Sequence, residues 1–354
     1  MDKNTISFVS TRGRAFNLDL QLVKNHLNSA RPDANFEYYL NKTATDLPAM
    51  NRKMEEGRRL FCTNADNIIC MDSSIPIKIP SAAANQKRVL LAAPFDYQFN
   101  IFLKASSDPD FKKKKTFIRC TDIFTGSPFT SKVLKTYYEW EDNVTFWDNM
   151  PYIVSWDLLQ KEQQLAARKR IEFYYPQIKG KKILSLILAG APQSAPKDII
   201  PENPFQDFNL KELIDALGED WFLITNNEYI TNIANQLPYT YSSSFGYTKN
   251  IISVNDLLYV SDMLVTNSSK HAGIFSITKK PVYCLNYLPK FFGKYMEKFY
   301  PGLYLKDIEE MLHLPFHENG WSKEQEQFHQ EFSYQTGENP LKTIEKIFDS
   351  DLQR

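Results

Sequence analysis

The chain has 354 residues, 43% of them hydrophobic and 14% aromatic, which is ample for a large buried core and points to two domains. Lys+Arg and Asp+Glu both number 42, so no global field argues for nucleic acid, and any charged partner has to be met locally. No apolar run of about 18 residues is present to span a bilayer, and the N-terminal MDKNTISFVSTRGRAF has no signal-peptide core, so a cytoplasmic protein is expected.

In chain order, short apolar strands alternate with amphipathic helical segments, the pattern of a mainly parallel sheet covered on both faces. TISFVS (5–10) is the first strand, followed by the loop TRGRAFN and a helix over LDLQLVKNHLNSA. FEYYLN, ADNIICMD and KRVLLAAP (87–94) continue the alternation, and DIFTGS (122–127) and NVTFWDN (143–149) complete a first set. LLQKEQQLAARKRIEFYYPQI (158–178) reads as one helix ending near Gly180. A second set of strands runs through KKILSLILAGAP, DWFLITNN, NIISVND and DMLVTNSS, with NLKELIDALG as a helix between them. WSKEQEQFHQEF and GENPLKTIEKIFDS are helix-forming. The expected organisation is a Rossmann-like domain over 1–160, a second over 161–335, and a C-terminal helix over 336–354 that packs back across the boundary. Two doubly wound domains of this kind are expected to face a cleft, because their ligands sit outside the C-terminal ends of the strands.

The four cysteines, Cys62, Cys70, Cys120 and Cys284, have no CxxC spacing and read as free thiols. His313, His317 and His329 do not have zinc spacing, so no metal site is expected. No Gly-rich phosphate fingerprint is present, which disfavours a P-loop or dinucleotide enzyme.

The segment LLYVSDMLVTNSSKHAGIFSITKKPVYCLNY (257–287) carries the first candidate site. An apolar strand ends at Thr266, and Asn267, Ser268 and Ser269 then precede a helix expected to start near Lys270. Hydroxyls and free backbone N–H groups at a helix start suit a phosphate. On local sequence alone the same serines read first as an ordinary N-cap. His271 lies in the first turn of that helix, within reach of a bound diphosphate or incidental to it. Arg12 and Arg14 flank Gly13 in the first loop, where guanidinium groups reach a phosphate bidentately, or form an exposed surface pair.

The longer stretch VNDLLYVSDMLVTNSSKHAGIFSITKKPVYCLNY resembles the signature of the bacterial CDP-glycerol glycerophosphotransferase family of teichoic-acid and capsule enzymes. Asp256, Leu258, Ser261, Asp262, Thr266, Ser268, Ser269, Lys280 and Pro281 match its pattern. STRGRAFNLDLQLVKNHL, DNIICMDSSIP, GSPFTSKVL, KKILSLILAGAP and GENPLKTIEKIFD resemble further family segments in the same order. The resemblance implies a GT-B fold, two Rossmann-like domains around a cleft, and no cofactor or metal. It implies a nucleotide-activated donor held by Thr266, Asn267, Ser268 and Ser269, and a glycan or lipid-linked acceptor used in building a cell-surface polysaccharide.

The departures are as informative. Where the family carries a W-H-G-T-P segment, whose His looks like the general base, this chain reads AAPFDYQF, and a second family His is replaced in NNEYI. Asp96 and Glu228 follow those two strands and are the carboxylates available as a base, each also readable as an ordinary turn or loop acid. Loss of the histidines favours a sugar over glycerol phosphate as the transferred group. It equally leaves open a non-catalytic GT-B subunit that scaffolds an active transferase. FKKKK (111–115) and YLPKFFGKYMEKFY (287–300) mix lysines with aromatics and suit contact with the anionic inner face of the plasma membrane, or else a solvated loop and an internal packing surface.

Overall fold

A computed structural model of the chain describes residues 5–10, 18–40, 68–71, 87–92, 114–115, 120–140, 143–188, 208–248, 252–285, 303–316, 322–334 and 337–352. The chain divides into two compact units, Met1–Trp156 with Glu331–Arg354, and Asp157–Gln330.

The first unit contains β1 (Thr5–Ser10), α1 (Leu18–Ala30), β2 (Asn35–Leu40), β3 (Ile68–Met71), β4 (Arg88–Leu91), β5 (Lys114–Lys115), β6 (Asp122–Phe124), α2 (Pro128–Tyr137), β7 (Tyr138–Glu139) and β8 (Thr145–Trp147). Helix α3 (Ile153–Leu158) begins in this unit and ends in the other. Six strands form one sheet in the order β2-β1-β3-β4-β6-β8, every pair parallel. The runs RVLL and DIF are buried at every position, as expected where helices cover both faces of a parallel sheet. Helix α1 turns Leu20, Val23 and Leu27, spaced three and four apart, onto Ile6, Phe8, Val89 and Leu91.

One tight connection fixes the path from β6 to α2. Gly126 has φ +65 and lies so close to Tyr152 that a Cβ there would stand 2.5 Å from its Cβ and 2.8 Å from its Cα. Ser127 then caps α2, its Oγ accepting from the Thr130 amide at 3.1 Å, and Pro128 occupies the first turn, where its missing N–H costs nothing.

The second unit contains α4 (Lys161–Tyr174), β9 (Lys182–Ile187), α5 (Leu210–Leu217), β10 (Trp221–Thr225), α6 (Glu228–Ala234), β11 (Phe245–Tyr247), α7 (Val254–Val260), β12 (Met263–Thr266), α8 (Ser269–Phe275), β13 (Val282–Leu285), β14 (Tyr304–Leu305) and α9 (Lys323–Phe332). Its sheet is also wholly parallel, in the order β11-β10-β9-β12-β13-β14. Leu184, Leu186, Leu223, Met263 and Val265 of three adjacent strands share a core with Leu210, Leu213, Ile214 and Leu217 of α5. Helix α9 crosses back into the first unit, where α10 (Pro340–Leu352) adds Ile344, Ile347 and Phe348 to the core. Outside that core α10 is tied to α1 by Glu345 with His26 at 2.8 Å and by Asp349 with Arg31 at 3.0 Å.

Two expectations change. The helix expected over 158–178 spans only Lys161–Tyr174: Leu158 ends α3, and a 3-10 turn follows at Pro176–Ile178. Proline disfavours helical backbone in the residue before it, and Tyr175 has φ −130 and ψ 75. NIISVND is not a strand over its described residues: Ser253 caps α7 from Val254, while the strand of this region is the preceding Phe245–Tyr247. The cap is reciprocal, with the Asp256 amide donating to Ser253 Oγ at 3.0 Å and the Ser253 amide donating to Asp256 Oδ2 at 3.4 Å. Ser253→Ala is expected to cost about 1 kcal/mol, read as a lower urea midpoint with an unchanged slope.

Candidate functional site

In the second sheet β9 is the switch point: the chain moves from β9 outward through β10 and β11, then returns to β9's other side for β12, β13 and β14. The crevice for a ligand in such a sheet lies beyond the C-terminal ends of the strands at that reversal. The residues gathered there are Leu188 after β9, Thr225 and Asn226 at the end of β10, and Thr266, Asn267 and Ser268 at the end of β12.

Both flanking strands end in the same device. Thr225 Oγ1 accepts from the Asn227 amide at 3.1 Å, and Thr266 Oγ1 accepts from the Ser268 amide at 3.0 Å. Each threonine is fully buried, so its hydroxyl holds the turn that lifts the chain off the strand. The residue after the turn then caps the next helix: Asn227 Oδ1 accepts from the Ile230 amide at 3.1 Å, and Ser268 Oγ accepts from the His271 amide at 3.4 Å. Between them, Asn226 extends the ladder with its side chain, accepting from the Leu188 amide at 2.8 Å and donating to the Leu188 carbonyl at 3.0 Å. That clamp sets the direction in which the chain leaves β9.

The hydroxyls of Thr266 and Ser268 are therefore committed to local structure, and Ser268 is the N-cap of α8. The first intrahelical bond of α8 is from the Ala272 amide to the Ser268 carbonyl at 3.0 Å, which leaves the amides of Ser269 and Lys270 ahead of the helical ladder. Among the described residues, those N–H groups, with half-buried Asn267 and His271 beside them, are what this edge can offer an anion. Glu228 opens α6 on the same edge of the sheet and is exposed. The side chain of Ser269, together with Asp96, Arg12 and Arg14, lies outside the described residues.

Most of the residues that carry the sequence signature stand at the opposite edge. Asp262, just before β12, accepts from the Ile183 amide at 3.0 Å through Oδ2, while its own amide donates to the Ile183 carbonyl at 2.8 Å. Lys280 donates to Asp262 Oδ1 at 3.2 Å and to the Ser261 carbonyl at 2.7 Å, and the Leu264 amide donates to the Pro281 carbonyl at 3.0 Å. Buried Ser261 donates to Ser185 Oγ at 2.6 Å. Asp256 completes the α7 cap and pairs with Arg170 of α4. These residues lock the starts of β9, β12 and β13; of the signature only the Thr-Asn-Ser-Ser segment reaches the C-terminal edge of the strands. The Asn226 clamp escaped sequence reasoning, and the Thr-Asn pair that recurs in LITNN and LVTNS was the signal that could have found it.

The buried groups near this sheet have shifted affinities for protons. Burial pushes the Asp157 carboxyl up, partly offset by the hydrogen bond from Tyr259, and burial with that same bond pushes the Tyr259 phenol up. Cys284, in β13, is buried and its thiol is pushed up by burial. His329 packs its Nδ1 against the Ser276 carbonyl and is held down to about 4 by burial. Among the described residues no group of three or more His, Cys, Asp or Glu side chains is placed to hold a metal ion.

Two doubly wound parallel sheets in one chain define a GT-B-like α/β protein. The chain is distantly related to the teichoic acid poly(ribitol-phosphate) polymerase of Bacillus spizizenii (strain ATCC 23059 / NRRL B-14472 / W23), with 26% identity over 156 residues. That match covers 41% of this chain and 24% of the polymerase, so it spans about a quarter of the relative's length. The solved wall teichoic acid polymerase TagF superposes with a TM-score of 0.62 at 12% identity, covering 99% of this chain and 90% of that one. The MnaA–UDP co-structure from S. aureus gives 0.55 at 10% identity, over 99% of this chain and 96% of that one. A putative UDP-N-acetylglucosamine 2-epimerase from Listeria monocytogenes gives 0.54 at 12% identity, over 98% and 96%. At these identities the superpositions show the fold alone. No family model matches the sequence.

Proposed function

We propose that the chain is a transferase that takes a CDP-linked donor and passes its polyol phosphate to a hydroxyl of a growing cell-wall polymer. The observation that carries this reading is the sequence match to a poly(ribitol-phosphate) polymerase. It favours a polyol phosphate over the sugar expected from the missing histidines. Further support comes from the neighbours in fold, since a TagF variant is solved after a soak with CDPG and MnaA is solved with UDP. Chemically, the acceptor oxygen forms a bond to the phosphorus of the transferred group while the bond from that phosphorus to the departing CMP breaks. The proton of the acceptor goes to a carboxylate, for which Glu228 and Asp96 are the candidates. The amides of Ser269 and Lys270, with Asn267 and His271, stabilise the anionic phosphates through aligned N–H groups. Thr266 and Ser268 act by shaping that turn, and Arg12 and Arg14 are further candidates for a phosphate contact by their residue type.

The test is calorimetric titration with CDP, CMP, UDP and GDP, without added metal. Binding of a cytidine nucleotide, weakened about tenfold or more by combined Ser268→Ala and Ser269→Ala in a protein that loses only the stability of one helix cap, about 1 kcal/mol, is the expected result. Undiminished binding in that variant removes the site from this edge, and no binding of any nucleotide removes the donor reading. The asparagines at the end of β10, where the resembling family carries a histidine, favour one second reading, a subunit that binds the donor without transferring it. That reading requires nucleotide binding with no CMP release in the presence of an acceptor polymer.

A further inference from the structure

A nucleotide crevice at this switch point falls between β9 and β12, because the chain leaves β9 for β10 on one side and returns to the other side at β12. Its shape depends on which way the backbone turns as it leaves β9. On the β10 side, away from the crevice, side chains hold that exit. Thr225 stands level with Leu186 in the ladder, and its hydroxyl donates to the Leu186 carbonyl at 2.8 Å. One residue on, Asn226 takes both backbone groups of Leu188, accepting from the amide at 2.8 Å and donating to the carbonyl at 3.0 Å.

On the β12 side the matching threonine does not lace the strands together. Thr266 stands level with Ile187 and, like Thr225, accepts from the amide two residues on, here that of Ser268 at 3.0 Å. Among the described residues its hydroxyl makes no bond to β9. Two threonines in the same kind of turn thus differ in one respect: the one beside the crevice leaves β9 alone, and the one behind it ties β9 back.

The Leu188 side chain is buried in the core with Leu186 and Phe208, which places its Cα. That leaves the two backbone dihedrals to decide where the N–H and C=O point once the residue has passed the end of the strand. Unpaired, those groups turn to whatever partner is offered, and water or a phosphate oxygen in the crevice would serve the N–H. The Asn226 amide closes that choice. No other short side chain does so at neutral pH, since a carboxylate has no donor and a single hydroxyl cannot span an N–H and a C=O at once. Among the described residues Asn226 makes no other hydrogen bond, so both arms of its amide are committed to Leu188.

We propose that Asn226 is a positioning residue for nucleotide binding: by turning both backbone groups of Leu188 towards β10, it keeps the exit of β9 off the β12 side, where the phosphates are received. This rests on the transferase reading above and adds to it a residue that acts through Leu188 instead of touching the ligand. The lysine and aromatic segments FKKKK (111–115) and 287–300 lie largely outside the described residues and have no part in it.

Calorimetric titration of the full chain with an alkyl ester of cytidine diphosphate tests this, since an esterified diphosphate has no group that titrates between about pH 5 and 8. Asn226→Ala is expected to bind it about tenfold or more weaker than the parent. Ser253→Ala, which loses the α7 cap in the same unit, is expected to melt lower and bind as the parent does. Asn226→Asp keeps the bond from the Leu188 amide and is expected to bind weakly at neutral pH, where its carboxylate has no proton for the Leu188 carbonyl. As the pH falls towards about 5 the protonated acid regains that donor, so its affinity relative to the parent at the same pH rises above that of Asn226→Ala. Loss of negative charge alone would bring it only level with Asn226→Ala. Parent affinity in Asn226→Ala, equal weakening by Ser253→Ala, or an Asn226→Asp profile that never passes Asn226→Ala each overturns the proposal and leaves the transferase reading standing. A parent protein that binds no cytidine nucleotide removes both.

Discussion

Gly126→Ala lowers the stability of the first unit by about 2–4 kcal/mol, the sum expected of a left-handed backbone penalty and an overpacked contact. The contact is the larger part. A Cβ at 126 meets Tyr152 at its Cβ and its Cα, 2.5 and 2.8 Å away, and the Cα cannot rotate aside as a side-chain tip can. Tyr152 is itself 2% exposed and closely surrounded. Gly180→Ala separates the two contributions: its φ is +79, yet nothing stands within 4 Å of the added Cβ, so about 1 kcal/mol of backbone strain is all that is expected. Amide hydrogen exchange measures both, through the Leu90 and Ile123 amides for the first unit and Leu264 and Cys284 for the second. Equal losses at the two glycines would show that Tyr152 yields.

The second large effect is acid sensitivity of the 157–330 unit through His329. Burial holds this imidazole down to about 4 in the folded protein against 6.5 for the free side chain. Between those values the unfolded chain takes up a proton that the folded chain refuses, so stability is complete above about 6.5 and is lost as the pH falls towards 4. The loss at pH 5 is about 2 kcal/mol, from the 1.36 kcal/mol that each pH unit of the interval contributes. Urea unfolding at neutral pH and near pH 5 reads it as a difference between the parent protein and His329→Gln, which retains a donor for the Ser276 carbonyl and has nothing to titrate. The carboxylates respond to acid in both proteins and cancel in the comparison. An identical pH dependence in the two would place the ring in contact with water.

Much of the fold was legible in the sequence because parallel strands buried on both faces read as unbroken apolar runs. KILSLI and WFLIT are of this kind, and both are strands. NIISVND misled for the same reason in reverse: its apolar start looks like a strand, while Ser253 and Asp256, three apart, specify a helix start that outweighs it. The three-residue strand FGY was too short to register against its polar surroundings. At the candidate site the strand end at Thr266 and the serine after Asn267 were readable. What the serine does was not, because a cap and a phosphate ligand ask for the same residue in the same place. The signature residues Asp262 and Lys280 could not be told from ligand-binding ones by spacing, since only three-dimensional pairing reveals that they brace the far edge of the sheet.

The path of the chain has a consequence for how the molecule is made. The first unit is built from two separate stretches, and the later one supplies Ile344, Ile347 and Phe348 to its core. The second unit is a single continuous stretch, Asp157–Gln330. As the chain leaves the ribosome, the second unit therefore has all its residues while the first still lacks one wall of its core, and the sheet translated first is the last to close. Until α10 arrives, the core that Leu20, Val23 and Leu27 build with the strands lacks the contribution of Ile344, Ile347 and Phe348.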